Sequence, residues 1–147
     1  MRNSCGLVLV STLLLGCTTS GISTPAPPNS EMYGLESDQP VEVCRPEGER
    51  QYLARLICPS GKHPGFERSG SVGPRTPIPS NMSQAAQDKL LQDDMTMRPL
   101  TAGKPDYHWI DAYKVSCGSQ TTTIYMDMYH CSAEPPSHAP TGFQIIR

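Results

Sequence analysis

The chain has 147 residues, with 12 basic and 14 acidic side chains and a formal net charge of −2. It has neither a basic surplus nor a basic run, which excludes electrostatic binding to nucleic acid or anionic lipid as its mode of action. Aromatic residues make up only 6% of the chain, so any domain of this size has a small core and needs further stabilisation.

The first 16 residues have the pattern of a secretory signal peptide. Arg2 supplies a positive charge, and residues 6–15 form an apolar run. A membrane-spanning helix requires about 20 apolar residues, whereas polar residues begin here at Thr18. We therefore expect residues 1–16 to direct export and then to be removed. Loss of Arg2 leaves 11 basic and 14 acidic side chains and a net charge near −3.

A four-residue motif, Leu14-Leu15-Gly16-Cys17, closes this segment. It resembles the lipobox of bacterial lipoproteins, in which an apolar residue, a tolerant position and a small residue precede a cysteine. The resemblance covers only the first 17 residues. It implies cleavage before Cys17 and lipidation of Cys17 with diacylglycerol and an acyl chain such as palmitate. Because Thr18 follows instead of an aspartate, it also implies an outer-membrane location facing the periplasm.

Residues 17–40 are predicted to form a flexible, lipid-anchored linker. They are rich in Thr, Ser, Gly and Pro and contain few large apolar side chains. Packing therefore cannot offset the entropy lost on ordering them. This assignment leaves residues 41–147 as one small periplasmic domain, within the usual size range.

The first half of this domain has weaker signals than the second. Residues 51–58 are apolar and precede a Pro-Ser-Gly turn, which favours a strand of a hairpin, although they also fit a helical stripe. Residues 65–79 contain too many Gly and Pro residues for regular structure. Residues 81–84 match a capping box and predict a helix that ends near Met97. Its apolar side is expected to cover the sheet with Ala86, Leu90, Leu91 and Met95.

The clearest element is a β-hairpin in the second half. Large side chains alternate over residues 107–117, residues 118–120 form a turn, and residues 121–130 are rich in β-branched and aromatic residues. Residues 143–146 predict a short closing strand. The predicted fold is α+β: a small antiparallel sheet of two hairpins, one covering helix and two disulfides.

The disulfides follow from the four cysteines that remain after Cys17, namely Cys44, Cys58, Cys117 and Cys131. An even number in an oxidising compartment predicts two bridges. A four-thiolate zinc site is the alternative, but zinc cysteines usually lie two to four residues apart. Equal spacing suggests the pairs 44–58 and 117–131. A tight turn after Cys117, however, would carry Cys131 about 30 Å away along the returning strand, so we favour 58–117 and 44–131.

Four polar residues are candidates for metal binding or acid–base chemistry: His108, Asp111, Asp127 and His130. Imidazole and carboxylate groups bind metals and carry protons. In continuous strands, however, His108 and Asp111 would face opposite sides, and so would Asp127 and His130. We therefore interpret these residues as solvent-exposed strand positions that hold no metal.

Asp111 has a second interpretation, because it lies on an otherwise aromatic strand face. A half-buried carboxylate there requires a donor such as Arg55, Arg68 or Lys114. It would then be either a structural acid or part of a recognition groove, and we favour the structural role.

Sequence alone predicts no specific molecular activity. The chain has no serine-hydrolase elbow and no phosphate-binding loop. We therefore favour a non-enzymatic envelope lipoprotein, without a cofactor, that is a structural or protein-binding module. Its partners would be the membrane, through lipid on Cys17, and an envelope protein, with no nucleic acid. The alternative is a periplasmic hydrolase or metal-dependent enzyme that uses His108, Asp111, Asp127 or His130.

Overall fold

A computed structural model describes residues 31–146, so the predicted signal peptide, Cys17 and residues 17–30 lie outside the described part. The strands are β1 Val41–Glu42, β2 Leu56–Ile57, β3 Gly65–Pro74, β4 Trp109–Cys117, β5 Gln120–Asp127 and β6 Gln144–Ile145. The helices are α1 Arg45–Ala54 and α2 Gln84–Met95. Neither helix has the length and hydrophobicity needed to cross a membrane.

The main sheet has four strands in the order β1-β5-β4-β3. Its β3–β4 and β4–β5 pairs are antiparallel, whereas β1 joins β5 in parallel, which makes the sheet mixed. β2 and β6 form a separate antiparallel pair, and β6 is the predicted closing strand. The predicted α+β class, with a small sheet and two disulfides, is confirmed.

The β4–β5 hairpin is confirmed. Cys117 pairs with Gln120 across a turn in which Gly118 has a φ of 66°, a conformation that glycine adopts without steric cost. Farther from the turn, Tyr113 pairs with Ile124, and both are buried in the core. The hairpin is thus the centre of the sheet.

Residues 51–54 belong to α1, so the predicted strand is wrong there and the alternative helical stripe is correct. A proline in the first turn has the backbone angle that a helix start requires and has no amide hydrogen to leave unpaired. Tyr52 and Leu53 are buried against the sheet. Only Leu56–Ile57 of the predicted segment forms a strand, and it pairs with β6 instead of forming a local hairpin.

Residues 65–74 form β3, where irregular structure was predicted. β3 is an edge strand whose pairing with β4 shifts register between Arg68 and Gly70 and again between Ser71 and Gly73. Both glycines have positive φ, and Pro74 comes at the strand end. An edge strand tolerates glycine bulges and a terminal proline, which explains why this composition does not prevent a strand.

A helix forms beside the predicted capping box, but its cap is Ser83 and not Asn81, so α2 begins at Gln84, two residues later than the box implies. The Ser83 hydroxyl accepts a hydrogen bond from the Ala86 amide. α2 ends at Met95 and buries none of its residues. Leu91 is 57% exposed and Met95 is 82% exposed, so the prediction that the apolar side of α2 covers the sheet is wrong. α1 covers the sheet instead.

Residues 31–40 fold with the domain, which corrects the predicted linker boundary. The Gly34 amide donates to the Gln39 carbonyl at 2.7 Å, and the Gly34 carbonyl accepts from the Tyr125 amide of β5 at 2.8 Å. Tyr33 also packs against the core. Packing of Tyr33 and hydrogen bonds to the rest of the domain therefore order a segment whose composition predicts a linker.

Gly34 provides a test of this packing, because a Cβ atom there would lie 2.9 Å from Val41 Cγ2 and 3.0 Å from Pro140 Cγ. Gly61 has a similar φ of 78°, against 72° for Gly34, but has no atom within 4 Å of that position. We expect Gly61→Ala to cost roughly 1–2 kcal/mol of unfolding free energy. Gly34→Ala should cost about 1–3 kcal/mol more from overpacking. Urea unfolding of both variants measures the difference, and equal costs would contradict the packing of this segment.

The two disulfides have the favoured pairing. Cys58 bonds to Cys117 with Cα atoms 5.7 Å apart, and Cys44 bonds to Cys131 with Cα atoms 4.3 Å apart. The first bridge lies beside the hairpin turn. The second joins the residue before α1 to the segment that follows β5, at the other end of the hairpin. With all four thiols in disulfides, the four-thiolate zinc alternative is wrong.

Candidate functional site

The two faces of the main sheet have different chemistry. Val41 and Met126 are opposite each other and point into the core beneath α1. Their neighbours Glu42 and Asp127 are also opposite each other and point to the other face, because side chains alternate along a strand. His108 has the parity of Ile110 and therefore belongs to this second face. The sheet thus places polar groups on the side away from α1.

Four of these groups form a compact Asp/His cluster: Asp106, His108, Asp127 and His130. Their ligand atoms all lie within 4.8 Å of one another. His108 Nδ1 is 3.1 Å from Asp106 Oδ1 and 3.4 Å from Asp127 Oδ1. His130 Nε2 is 3.0 Å from Asp127 Oδ2 and 3.5 Å from Asp106 Oδ2. Each imidazole therefore contacts both carboxylates.

Backbone pairing brings Asp106 and His108 to one side. The Arg75 amide donates to the His108 carbonyl at 2.9 Å and the Thr76 amide donates to the Asp106 carbonyl at 3.0 Å. These bonds continue the β3–β4 pairing beyond the end of β4. Asp106 and His108 are two residues apart on this extended segment, so their side chains point to the same face.

The end of β5 brings His130 back toward Asp127. β5 stops at Asp127, Tyr129 bridges to Cys44, and the His130 amide donates to the Val43 carbonyl at 3.0 Å. The Cys44–Cys131 disulfide holds this segment in place. His130 departs from strand alternation, so Asp127 and His130 contact each other although they are three residues apart.

Further charged groups surround the cluster. Arg75 Nη1 contacts Glu42 and lies 3.1 Å from Asp106 Oδ2. Glu42 Oε2 lies 3.6 Å from His130 Nδ1, and Asp94 Oδ1 of α2 lies 3.9 Å from His108 Nε2. Each histidine thus has a carboxylate near both of its ring nitrogens.

The pKa values in the cluster are strongly shifted. Burial alone would raise the pKa of Asp127, but the imidazoles of His108 and His130 outweigh it and hold that pKa far below its usual range. Burial would lower the pKa of His130, but Asp106 and Asp127 raise it to about 10. Burial raises the pKa of Asp94 to about 6. The cluster can therefore hold protons on its imidazoles or, with the imidazoles neutral, a cation between them.

The structure brings together three of the four predicted residues, His108, Asp127 and His130. Their interpretation as solvent-exposed is wrong, because His108 is 5% exposed and Asp127 is fully buried. Asp106 was not among the residues predicted from the sequence. The signal for it was the Asp-x-His spacing of Asp106 and His108, together with the hairpin register. That register, continued outward, places His108 opposite Tyr129, and their rings stack at 4.8 Å.

Asp111 lies apart from the cluster, on the core face of β4. Arg68 donates to both of its carboxylate oxygens, at 2.6 and 2.7 Å, and the Ser71 hydroxyl donates at 2.7 Å. Arg68 was one of the predicted donors. Asp111 is 3% exposed. Its bidentate pairing with Arg68 is the geometry in which arginine binds a carboxylate most strongly. Asp111 therefore has a structural role.

Glu49 of α1 is fully buried beside this pair. Its Oε2 accepts a hydrogen bond from the Tyr113 hydroxyl at 2.9 Å, whereas its Oε1 has no hydrogen-bond partner within residues 31–146. Burial raises the pKa of Glu49 to about 7, although the Tyr113 bond lowers it in part. Glu49 therefore binds a proton more tightly in the folded protein than in the unfolded chain.

This shift predicts a pH dependence of stability. Because the folded pKa is raised from an ordinary value of 4.5, the stabilisation is complete below pH 4.5 and is lost as the pH rises through 7. Glu49→Gln should remove this loss and stabilise the protein at pH 8 by up to about 3 kcal/mol relative to pH 4.5. Urea unfolding at the two pH values measures the change. Glu47→Gln, at an exposed position of α1, is the control, and equal profiles for the two variants would contradict the prediction.

A cleft of about 570 Å³ lies between α2 and residues 98–108. Leu90, Leu100 and Tyr107 supply apolar surface, and Lys89 and Lys104 supply positive charge. Asp94 and His108 line the same cleft. The Asp/His cluster is therefore next to a space that can hold a ligand.

Comparison with protein-family models, with curated proteins and with solved structures finds no match to this chain.

Proposed function

We propose that this chain is an envelope lipoprotein, cleaved before Cys17, anchored by lipid in the outer membrane, with a non-enzymatic structural or protein-binding domain. The observation that carries the proposal is the lipobox-like Leu14-Leu15-Gly16-Cys17 after an apolar run. Two disulfides between the four remaining cysteines support it, because such bonds persist in oxidising compartments. Acyl chains contribute about 0.8 kcal/mol per buried CH₂, so two or more make a durable anchor.

The proposed anchor limits where the domain can act. Residues 18–30 separate Cys17 from the first described residue, and fully extended they span at most about 45 Å. The domain would therefore stay close to the periplasmic surface of the membrane.

A protein-binding role is supported by apolar side chains that remain exposed. Leu91 and Met95 project from α2 one helical turn apart and are 57% and 82% exposed. Contiguous exposed apolar surface on a soluble domain often marks an interaction site. We propose this surface of α2 as the contact for an envelope protein.

The test of anchoring is the substitution Cys17→Ser in the producing bacterium. We expect the parent to incorporate radiolabelled palmitate and to fractionate with the envelope, and the variant to do neither. Cys5→Ser, in the predicted signal peptide, is the matched control and should label like the parent. Equal labelling of Cys17→Ser and the parent would exclude the lipoprotein.

A second candidate function is a metal-dependent hydrolase in the periplasm. The observation that favours it is the position of His108, which belongs to the Asp/His cluster and also lines the cleft. Zinc-dependent turnover of ester or peptide substrates that is lost in His108→Asn would support this candidate over a binding module.

A further inference from the structure

We propose that the Asp/His cluster binds one divalent transition-metal ion, zinc fitting best, through Asp106, His108, Asp127 and His130. All four residues lie within the folded domain. The proposal is therefore independent of lipid on Cys17, and either can fail alone.

The donor atoms lie close enough together to converge on one tetrahedral ion. Zinc binds imidazole nitrogen and carboxylate oxygen at about 2.0–2.1 Å, which places neighbouring donor atoms of a tetrahedron about 3.3–3.4 Å apart. His108 Nδ1 lies 3.1 and 3.4 Å from an oxygen of each aspartate. His130 Nε2 lies 3.0 and 3.5 Å from the other oxygens of the same residues. These distances involve both oxygens of each aspartate. With one donor atom from each residue, all four atoms lie within 4.8 Å of one another, so the widest pair must close by at most about 1.5 Å to reach a tetrahedral edge.

The unsatisfied nitrogen of His108 is a second and independent observation. The His108 side chain is only 7% exposed, and its Nδ1 has no hydrogen-bond partner within residues 31–146. Two carboxylate oxygens lie within hydrogen-bonding distance of this nitrogen, but neither has the angle that a hydrogen bond requires. Buried polar atoms in folded proteins are nearly always partnered. A metal ion shared with the two carboxylates would supply the missing partner.

Carboxylates also lie near the second ring nitrogen of each histidine, a little beyond hydrogen-bonding distance. A metal-bound histidine donates its second ring N–H to a carboxylate, which fixes its tautomer and orientation. Asp94 lies 3.9 Å from His108 Nε2, and Glu42 lies 3.6 Å from His130 Nδ1. Both histidines thus have an outer carboxylate on the ring nitrogen that faces away from the proposed ion.

Charge balance is also compatible with a divalent ion. Arg75 already contacts Glu42 and Asp106. Two aspartate carboxylates together with two neutral imidazoles balance the charge of one divalent ion. Four protein ligands complete a tetrahedron, so we expect the ion to hold the start of β4 to the end of β5 and to stabilise the fold.

The experiment uses the mature protein in detergent after chelator treatment. Zinc chloride is titrated by calorimetry, and cobalt(II) chloride is titrated by visible absorption, whose intensity distinguishes four-coordinate from six-coordinate cobalt. We expect one ion per chain, an intense four-coordinate cobalt spectrum and a higher melting temperature with zinc. His108→Asn and His130→Asn should lose this binding, whereas His138→Asn, at an exposed position, should keep it.

Asp94→Asn keeps the experiment decisive if the histidine variants do not fold. It changes only an outer carboxylate and should weaken zinc binding about 10–100-fold at unchanged stoichiometry. Its neighbour Asp93 contacts Lys89 and Arg98 instead of the cluster, so Asp93→Asn should bind like the parent. Absence of saturable binding, a six-coordinate cobalt spectrum, or equal affinities of the Asp94 and Asp93 variants would overturn the proposal. In that case the cluster is a network of protonated histidines and carboxylates.

Discussion

Reduction of both disulfides is expected to unfold the domain. Cys58–Cys117 and Cys44–Cys131 join residues 59 and 87 positions apart. In the chain-entropy model such loops contribute about 4–5 kcal/mol each as an upper guide. A domain of this size has a total stability of about 5–15 kcal/mol, so both bridges together are comparable with that total. Thermal unfolding followed by circular dichroism, with and without a phosphine reductant, measures the effect.

Two double variants separate the contributions of the bridges. Cys58→Ala with Cys117→Ala opens the turn end of the hairpin, whereas Cys44→Ala with Cys131→Ala opens the end beside the Asp/His cluster. We expect each to lower the unfolding free energy by about 2–5 kcal/mol. A reduced protein that melts within a few degrees of the oxidised protein would contradict the assignment of the disulfides as the main stabilising element.

Asp127→Asn is expected to be the most damaging single substitution in the cluster. The Asp127 carboxylate is fully buried and contacts His108 and His130, with Arg75 3.9 Å away. Loss of its charge removes one of the two carboxylates that contact both imidazoles, and we expect a cost of about 3–5 kcal/mol, the range typical of a broken buried ion pair. Urea unfolding of chelator-treated protein at pH 7 measures the change. Asp88→Asn, at an exposed position of α2, should change stability by less than about 0.5 kcal/mol.

The same substitution has a predictable pH dependence. The pKa of Asp127 is lowered in the folded protein, so its stabilisation is present above the ordinary value of 3.8 and is lost as the pH falls below it. The difference in stability between the parent and Asp127→Asn should therefore shrink in acid. A difference that stays constant from pH 7 to pH 3 would contradict the role of its charge.

The hairpin and the disulfide pairing could be predicted because both depend on local information. Alternating side chains and a glycine turn specify β4 and β5, and the distance along β5 then rules out a bond between Cys117 and Cys131. The start of α2 was predictable to within two residues, since capping signals act within one turn of helix.

Tertiary contacts determine the secondary structure of the segments that were predicted wrongly. Residues 51–54 have both a strand-like and a helical pattern, and burial of Tyr52 and Leu53 beneath the sheet favours the helix. β3 exists because β4 offers it a partner along its length, despite its glycines. Neither partner can be recognised in the local sequence.

The Asp/His cluster could be predicted only in part, because its assembly depends on where β5 ends. Strand alternation separates Asp127 from His130 only if the strand continues past Asp127. Pairing with Val43 and the disulfide at Cys131 turn the chain there instead. Asp94 comes from a separate helix, and no spacing in the sequence connects it with His108.

The most direct test of the proposed anchor is the mass of the N-terminal peptide of the protein isolated from native envelopes. The lipoprotein proposal predicts a peptide that begins at Cys17 and carries the added mass of a diacylglyceryl group and one acyl chain. An N-terminus at Met1, or an unmodified peptide that begins at any other residue, would contradict it.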